Sequence, residues 1–528
     1  MKSKTYSKYA IAWTVAIGLF MVVLDTTVVN VALVPMAAFF KTDLGGIQWV
    51  ITAYFLTVAA VIPLAGYFGN RFGLKRLFTF CLALFTLGSL LCGLAPGLEW
   101  LIFFRVVQGL GGGGLFPLAL ALALKAFPPQ ERASASAVIG VSALVAPAVG
   151  PSLGGILTDV FGWQAIFFIN LPVGLLCIFL VREIIPADEP AQAISKGFDV
   201  VGLALSISGV LSIVYALALV SQTIPGTITA LQPRGEIYGW GYWQVWALLA
   251  AGALILAIFA YYELVISRNP VLDLRLIKQY SFSISTVVCC AVAMAIFGSF
   301  FLLPVFFEQV RMPHFSPTEA GLLLLPQGIA SALATLLSGR LLYNRIGVRN
   351  LVLLGAVFLI AGTWGITGLQ TDVDGWSLIP WTILRGLGFG FAYVPVQTRA
   401  LQEVTGPALS KASSLLSVVR QIFSTLGTSI TSTTFLQQTT LHLNELSPNS
   451  PTGSKPTLSE LQQAVATAGT SAVNDVFFLV LMGSILIFLL ALALPRQKPD
   501  RQKPSTSNLQ SAEALVEPEG SESQAVRH

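Results

Sequence analysis

One carboxylate and three guanidiniums stand inside stretches that are otherwise apolar. Asp25 lies in Leu24-Asp-Thr-Thr-Val-Val-Asn-Val-Ala-Leu33, Arg105 in Arg105-Val-Val-Gln-Gly109, Arg385 in RGLGFGFAYVP and Arg420 in Arg420-Gln421. Charge is expensive where water is scarce, so each marks either a functional group or a paired structural one. A carboxylate can also exchange a proton, because burial favours its neutral form and a neighbouring cation its charged form. Two roles are therefore open for Asp25 with Arg105 as partner: a proton-coupling pair, or a fixed structural ion pair. Arg385 occupies the related place later in the chain. Asn30, Gln108, Arg420, Gln421 and Glu308 are further polar groups that could line a cavity, although Glu308 falls at the end of its apolar run and could simply be solvated.

The elements that carry these residues follow from composition. Of 528 residues 55% are hydrophobic and 10% charged, with a mean hydropathy of +0.77. That is far too little charge to coat a soluble globule, so the chain is read as an all-α polytopic membrane protein. A spanning helix needs roughly 20 apolar residues. Fourteen runs qualify, at 10–34, 48–68, 77–96, 98–123, 134–158, 162–182, 199–220, 243–265, 282–307, 319–341, 350–370, 377–402, 412–434 and 474–494. They are too long and unbroken for barrel strands. The first follows Lys2, Lys4 and Lys8 but is too long for a signal-peptide core, and no small-x-small site follows it. With the amino terminus inside, only Lys41, Arg234, Arg311 and Lys455 fall in outside loops, so both termini are expected to be cytoplasmic. The outside loops at 221–242 and 437–473 are the long ones, Trp240, Trp243 and Trp246 mark an interfacial belt, and 495–528 reads as a disordered tail.

An internal repeat organises the spans. Gly66-Tyr-Phe-Gly-Asn-Arg-Phe-Gly-Leu-Lys-Arg76 is echoed by Asn344-Arg-Ile-Gly-Val-Arg349, and Arg105–Pro117 by Arg385–Pro395. The offset exceeds six spans and fits two extra helices between the halves, giving domains 1–182, 183–281 (the inserted pair with its linkers) and 282–494, then the tail. Gly66, Asn70, Arg71, Gly73, Lys75 and Arg76 are read as a cytoplasmic gating hinge whose glycines permit a tight turn. In the fifth span Ser142, Ala146, Gly150 and Gly154 form one ladder of small residues, with Ala143, Pro147, Pro151 and Gly155 beside it, a pattern for close packing and a bent gate helix. Gly111–Gly114 lacks the flanking strand and Gly-Lys-Ser/Thr of a phosphate loop. The five cysteines lie in apolar runs, and His314 and His442 are placed in loops, so neither a disulfide framework nor a metal site is expected.

These residues resemble the major facilitator superfamily, in particular its fourteen-span drug:proton antiporter branch. Gly66–Arg76, Leu24–Leu33, Arg105–Gly113, Gly150-Pro-Ser-Leu-Gly-Gly155, Trp163–Gly174 and Arg420-Gln421 carry the likeness. Asn70 stands where the family usually has Asp, Ala137 and Ala146 replace motif glycines, and Pro35 falls one residue late. The resemblance implies two six-helix bundles plus two inserted helices, a cavity between the bundles, and multidrug efflux by alternating access. It also implies Asp25 as the proton-linked carboxylate and Arg105 as its partner. No cofactor is expected, the proton gradient being the energy source. Partners would be a small lipophilic substrate, protons, membrane lipid and, where the host has an outer membrane, a periplasmic adaptor protein; no nucleic acid is expected. A proton-linked exporter of one metabolite, or a non-transporting membrane sensor, is the alternative. No cluster of His, Cys or paired acids suggests an enzyme.

Overall fold

The computed structural model describes residues 6–42, 44–188, 199–222, 224, 237–267, 270–300, 302–404, 406, 408–446 and 458–496. Fourteen long helices carry the fold: α1 (Lys8–Val31), α2 (Leu44–Phe72), α3 (Leu74–Gly93), α4 (Leu98–Ala126), α5 (Arg132–Phe161), α6 (Asn170–Ile184), α7 (Val200–Val220), α8 (Trp243–Tyr261), α9 (Tyr280–Phe300), α10 (Pro317–Leu337), α11 (Tyr343–Trp364), α12 (Ile379–Gln402), α13 (Ala408–Leu446) and α14 (Leu458–Ala491). There is no strand element among the described residues. Among the described residues eleven segments are long and apolar enough to cross a membrane, one of which, Thr318–Trp364, takes in nearly all of α10 and all of α11. α12 and α13 fall outside that set because they carry Arg385, Arg399 and Arg420 and, in α13, many Ser and Thr. Their apolar faces are buried by neighbouring helices instead, which is how a less hydrophobic helix can sit inside a bundle.

The pairings repeat between the halves. α1 packs on α5 and α4, α2 on α4, and α3 on α4 and α6; likewise α9 packs on α13 and α12, α10 on α12, and α11 on α12 and α14. The halves meet along two symmetry-related seams, α5 against α10 and α2 against α13. α7 leans on α2 and α13, and α8 packs against α7. Burial follows: the apolar window of α4 is 83% buried and that of α8 17%, so α4 is a core rod and α8 a rim helix facing lipid.

Small residues set the spacing at these seams. Ser142 Oγ donates to Ala16 O at 2.7 Å, and a Cβ on Gly150 would sit 1.9 Å from Thr27 Oγ1, so the first ladder of α5 is the track for α1. The opposite side of α5 faces α10 and the wide turn after it, Ser338–Leu342: a Cβ on Gly339 of that turn would come within 2.5 Å of Ala137 Cβ, and one on Gly321 of α10 within 1.6 Å of Ser152 Oγ. α5 runs unbroken from Arg132 to Phe161 through Pro147 and Pro151.

Three expectations need correction. The stretch from Gly66 is not a turn as far as Phe72. Gly66 and Gly69 are helical residues of α2, and Gly66 lets α2 approach α13, whose Ser410 Oγ donates to Gly66 O at 2.7 Å. The turn is made at Gly73, with φ +94°, and its echo is Gly347, with φ +78°; an L side chain is strained at both. The region 437–473 is not one long loop. α13 continues to Leu446 and α14 begins at Leu458, so His442 is helical. Polar residues there give no span signal, yet a helix already nucleated in the bundle extends at little cost when its extension is paired. Finally, the first span ends at Val31 and a short helix, Leu33–Phe40, follows with Pro35 in its first turn, where a missing N–H is harmless. The expected tail lies almost wholly outside the described residues.

Candidate functional site

Asp25, on α1, is 1% exposed and sits at the centre of a polar network inside the first bundle. Arg105, on α4, donates from Nη1 to Asp25 Oδ2 at 2.7 Å. The same nitrogen reaches Gln108 Oε1 at 2.8 Å, and Nε donates to Val50 O of α2 at 3.1 Å. The guanidinium lies 4.2 Å from the Tyr54 ring centroid. Gln108 and Asn170 each donate to Asp25 Oδ1 at 2.9 Å. The second Asn170 hydrogen goes to Ser89 Oγ of α3 at 3.0 Å, whose own hydrogen goes to Phe167 O at 2.8 Å. Five of the six helices of this half are thus joined in one network: α1, α4 and α6 meet at the carboxylate, and α2 and α3 hold Arg105 and Asn170 behind it.

Glycines make the convergence possible. A Cβ on Gly111 would fall 2.4 Å from Phe85 N, one on Gly113 2.7 Å from Val58 O, and one on Gly88 2.6 Å from Gln108 Cα. α4 is therefore clamped between α2 and α3, which fixes Arg105 and Gln108 toward α1. An ion pair this dry needs its remaining donors and acceptors satisfied, and the two amides do that for Asp25.

The second half repeats the guanidinium without the acid. Arg385, 1% exposed on α12, donates from Nη2 to Ser299 Oγ of α9 at 2.7 Å. Its other faces meet the Phe477 and Phe389 rings at 5.2 and 5.7 Å, and its Nε and Nη1 have no hydrogen-bond partner among the described residues. Arg420, on α13, lies 4.1 Å from the Phe116 ring centroid of α4, across the seam between halves. Asn30 is exposed and donates to Thr26 O of its own helix, and Gln421 donates to Thr425 Oγ1 of its own helix. Glu308 is half-buried in a wide turn, Phe306–Val310, beyond α9. None of these three joins the Asp25 network.

At the end of the bundle that carries the amino terminus, Arg132 joins the halves. It is 5% exposed at the start of α5 and donates from Nη1 to Leu401 O, Gln402 O and Val404 O at 3.0, 3.1 and 2.7 Å. Those are carbonyls at the carboxyl end of α12, where the helix dipole also favours a cation. Ser134 Oγ donates to Gly339 O at 3.1 Å beside it. In the hinge, Asp188, after α6, accepts Lys75 N–H and Arg76 N–H at 3.0 Å each, capping α3. Lys75 Nζ donates to Arg182 O and Ile185 O, while Arg71 and Arg76 are exposed. Sequence reasoning missed Asn170, Ser89, Arg132 and Asp188. Asn170 was signalled by an amide in an otherwise apolar run.

Residues 15–269 and 262–428 match the Major Facilitator Superfamily. The chain is 33% identical over 410 residues to the Multidrug resistance protein B homolog of Mycobacterium tuberculosis, covering 77% of this chain and 72% of that one. It is 31% identical over 437 residues to the Multidrug export protein EmrB of Escherichia coli, covering 82% and 81%. Among solved structures, the proton:xylose symporter XylE aligns with a TM-score of 0.60 at 14% identity, covering 97% of this chain and 99% of that one. The human organic anion transporter MFSD10 aligns with a TM-score of 0.55 at 13% identity, covering 91% and 100%. Matched through both halves of its repeat, this multi-pass membrane protein belongs to the Major Facilitator Superfamily of transporters.

Proposed function

We propose that the protein is a proton-coupled antiporter that exports hydrophobic or amphipathic compounds by alternating access. The observation that carries this reading is the Asp25 carboxylate, sealed from solvent and bonded to Arg105, Gln108 and Asn170. Protonation there removes one charge of the pair and weakens the acceptor that ties α1 to α4 and α6, so proton binding alters helix packing. The relatives named for multidrug resistance and export support a small-molecule cargo. Halves 1–182 and 282–494 rock against one another along the α5–α10 and α2–α13 seams, the inserted pair riding on the second. With both termini cytoplasmic, as the placement of Lys and Arg favours, the Arg132 contacts close the cytoplasmic side.

The test is purified protein in liposomes with an imposed pH gradient and a panel of lipophilic cations, acids and neutral drugs. Gradient-driven flux of at least one compound, absent from protein-free vesicles, is expected. A folded preparation that moves none of them under any gradient sinks the antiporter reading.

A further inference from the structure

Charge is distributed unequally between the two halves. Asp25 and Glu263 are the only carboxylates buried among the described residues. Asp25 is taken by Arg105, and Glu263 lies beyond α8, accepting Val271 N–H at 2.8 Å. Arg385 and Arg420, both buried in the second half, have no carboxylate within ion-pair distance among the described residues. Of the two, Arg420 is the one that faces the other half. Its guanidinium lies over Phe116 of α4, its Nε has no hydrogen-bond partner among the described residues, and its neighbours on its own side are Tyr393, Cys289 and Cys290. A planar cation held against an aromatic face, with donor capacity left over and no protein anion, fits a carboxylate attached to an aromatic body.

Building on the antiporter reading above, we propose that the transported compounds are amphipathic aromatic acids, bound at the seam with the acid on Arg420 and the apolar body against Phe116. The uncompensated positive charge of the second half works against lipophilic cations. Arg420 is a binding residue here, and it takes no part in the proton step. An energetic consequence follows. Exporting a monoanion against entry of one proton carries two positive charges' worth of current inward, so membrane potential drives it as well as pH; exchange of a monovalent cation for one proton is electrically silent.

The experiment uses the full-length protein in liposomes with three probes: 1-pyrenebutyrate, its methyl ester and tetraphenylphosphonium. Equilibrium binding should favour the acid over the ester by about tenfold or more, the scale of one charge-assisted hydrogen bond. Arg420→Gln should lose that preference while still binding the ester, Arg420→Lys should keep part of it, and Phe116→Leu should weaken acid and ester alike. Flux of the acid should rise when a potential, negative on the side from which it leaves, is added at constant pH gradient. Wild-type protein that binds acid and ester equally, or that prefers tetraphenylphosphonium, overturns the proposal without any variant having to fold. Gradient-driven movement of the cation but not of the acid would refute this inference and leave the antiporter reading standing. Arg420-dependent acid binding with no flux of any probe under any gradient would uphold the acid site on Arg420 but refute the antiporter reading, and transport of the acid with it.

Discussion

Replacing Asp25 with Asn probes the network most directly. The substitution removes the anion but not Arg105, which is 1% exposed and would be left with neutral acceptors, Gln108 and the Val50 carbonyl among them. It also turns one acceptor oxygen into an amide donor, facing either Arg105 or the two amides that now donate to the carboxylate. Breaking a buried pair from one side typically costs about 3–5 kcal/mol, mostly the penalty of the stranded charge. Asp25→Asn should therefore be less stable by that amount, and Asp25→Asn combined with Arg105→Gln should recover roughly 2 kcal/mol or more of it. Reversible unfolding in mixed micelles measures the cycle, and proteoliposome flux measures coupling. Coupled flux should fall to background in Asp25→Asn, while binding of cargo persists. Wild-type flux under a pH gradient in that variant, or a double variant no more stable than the single, would refute the reasoning.

Arg132→Ala should loosen the end of the bundle that carries the amino terminus. Its contacts with three carbonyls are charge-assisted hydrogen bonds from one nitrogen, so a bias of roughly 2–3 kcal/mol toward the closed form is at stake. Labelling of a cysteine placed at Ser136 should accelerate accordingly, and an unchanged rate would count against the contact as a lock. His442, in the extension of α13, reaches Asp475 of α14 at 2.8 Å and Glu445 of its own helix at 3.3 Å, and the Asp475 hydrogen bond raises its pKa above 6.5. A raised pKa means that this stabilisation is complete below pH 6.5 and is lost as pH climbs through the shifted value. Amide exchange in 437–446 should thus quicken on alkalinisation, and His442→Gln should abolish the dependence. Asp188→Ala should destabilise the start of α3 by about 1–2 kcal/mol, the usual worth of a side-chain cap; intact protection of Lys75 and Arg76 amides would contradict that.

Much of the frame was legible because a membrane imposes one length and one polarity on every span. The echo of Asn70–Lys75 at Asn344–Arg349 was enough to find two halves and an inserted pair, and in the fold both motifs turn at a positive-φ glycine. Asp25 and Arg105 stood out because charge in apolar sequence is conspicuous. What remained hidden was bonded to things that leave no mark in sequence. Arg132 binds backbone carbonyls, which every residue possesses. Asp188 caps a helix more than a hundred positions away, and nothing local distinguishes it from a solvated acid in a linker. The helical run through His442 gives a loop signature in sequence because hydropathy reports lipid, and a polar helix in water is invisible to it.

The lock at Arg132 has one further property. Neither of its members titrates: a guanidinium keeps its charge throughout the range in which cells live, and a peptide carbonyl has no proton to gain. A clasp made of paired acid and base would weaken whenever the adjoining compartment acidified. This one is indifferent to acidification, so its hold on the two halves does not depend on the protons that the proposed function assigns to Asp25. On that proposal responsiveness and closure lie in separate places, and mutation can tune either without disturbing the other.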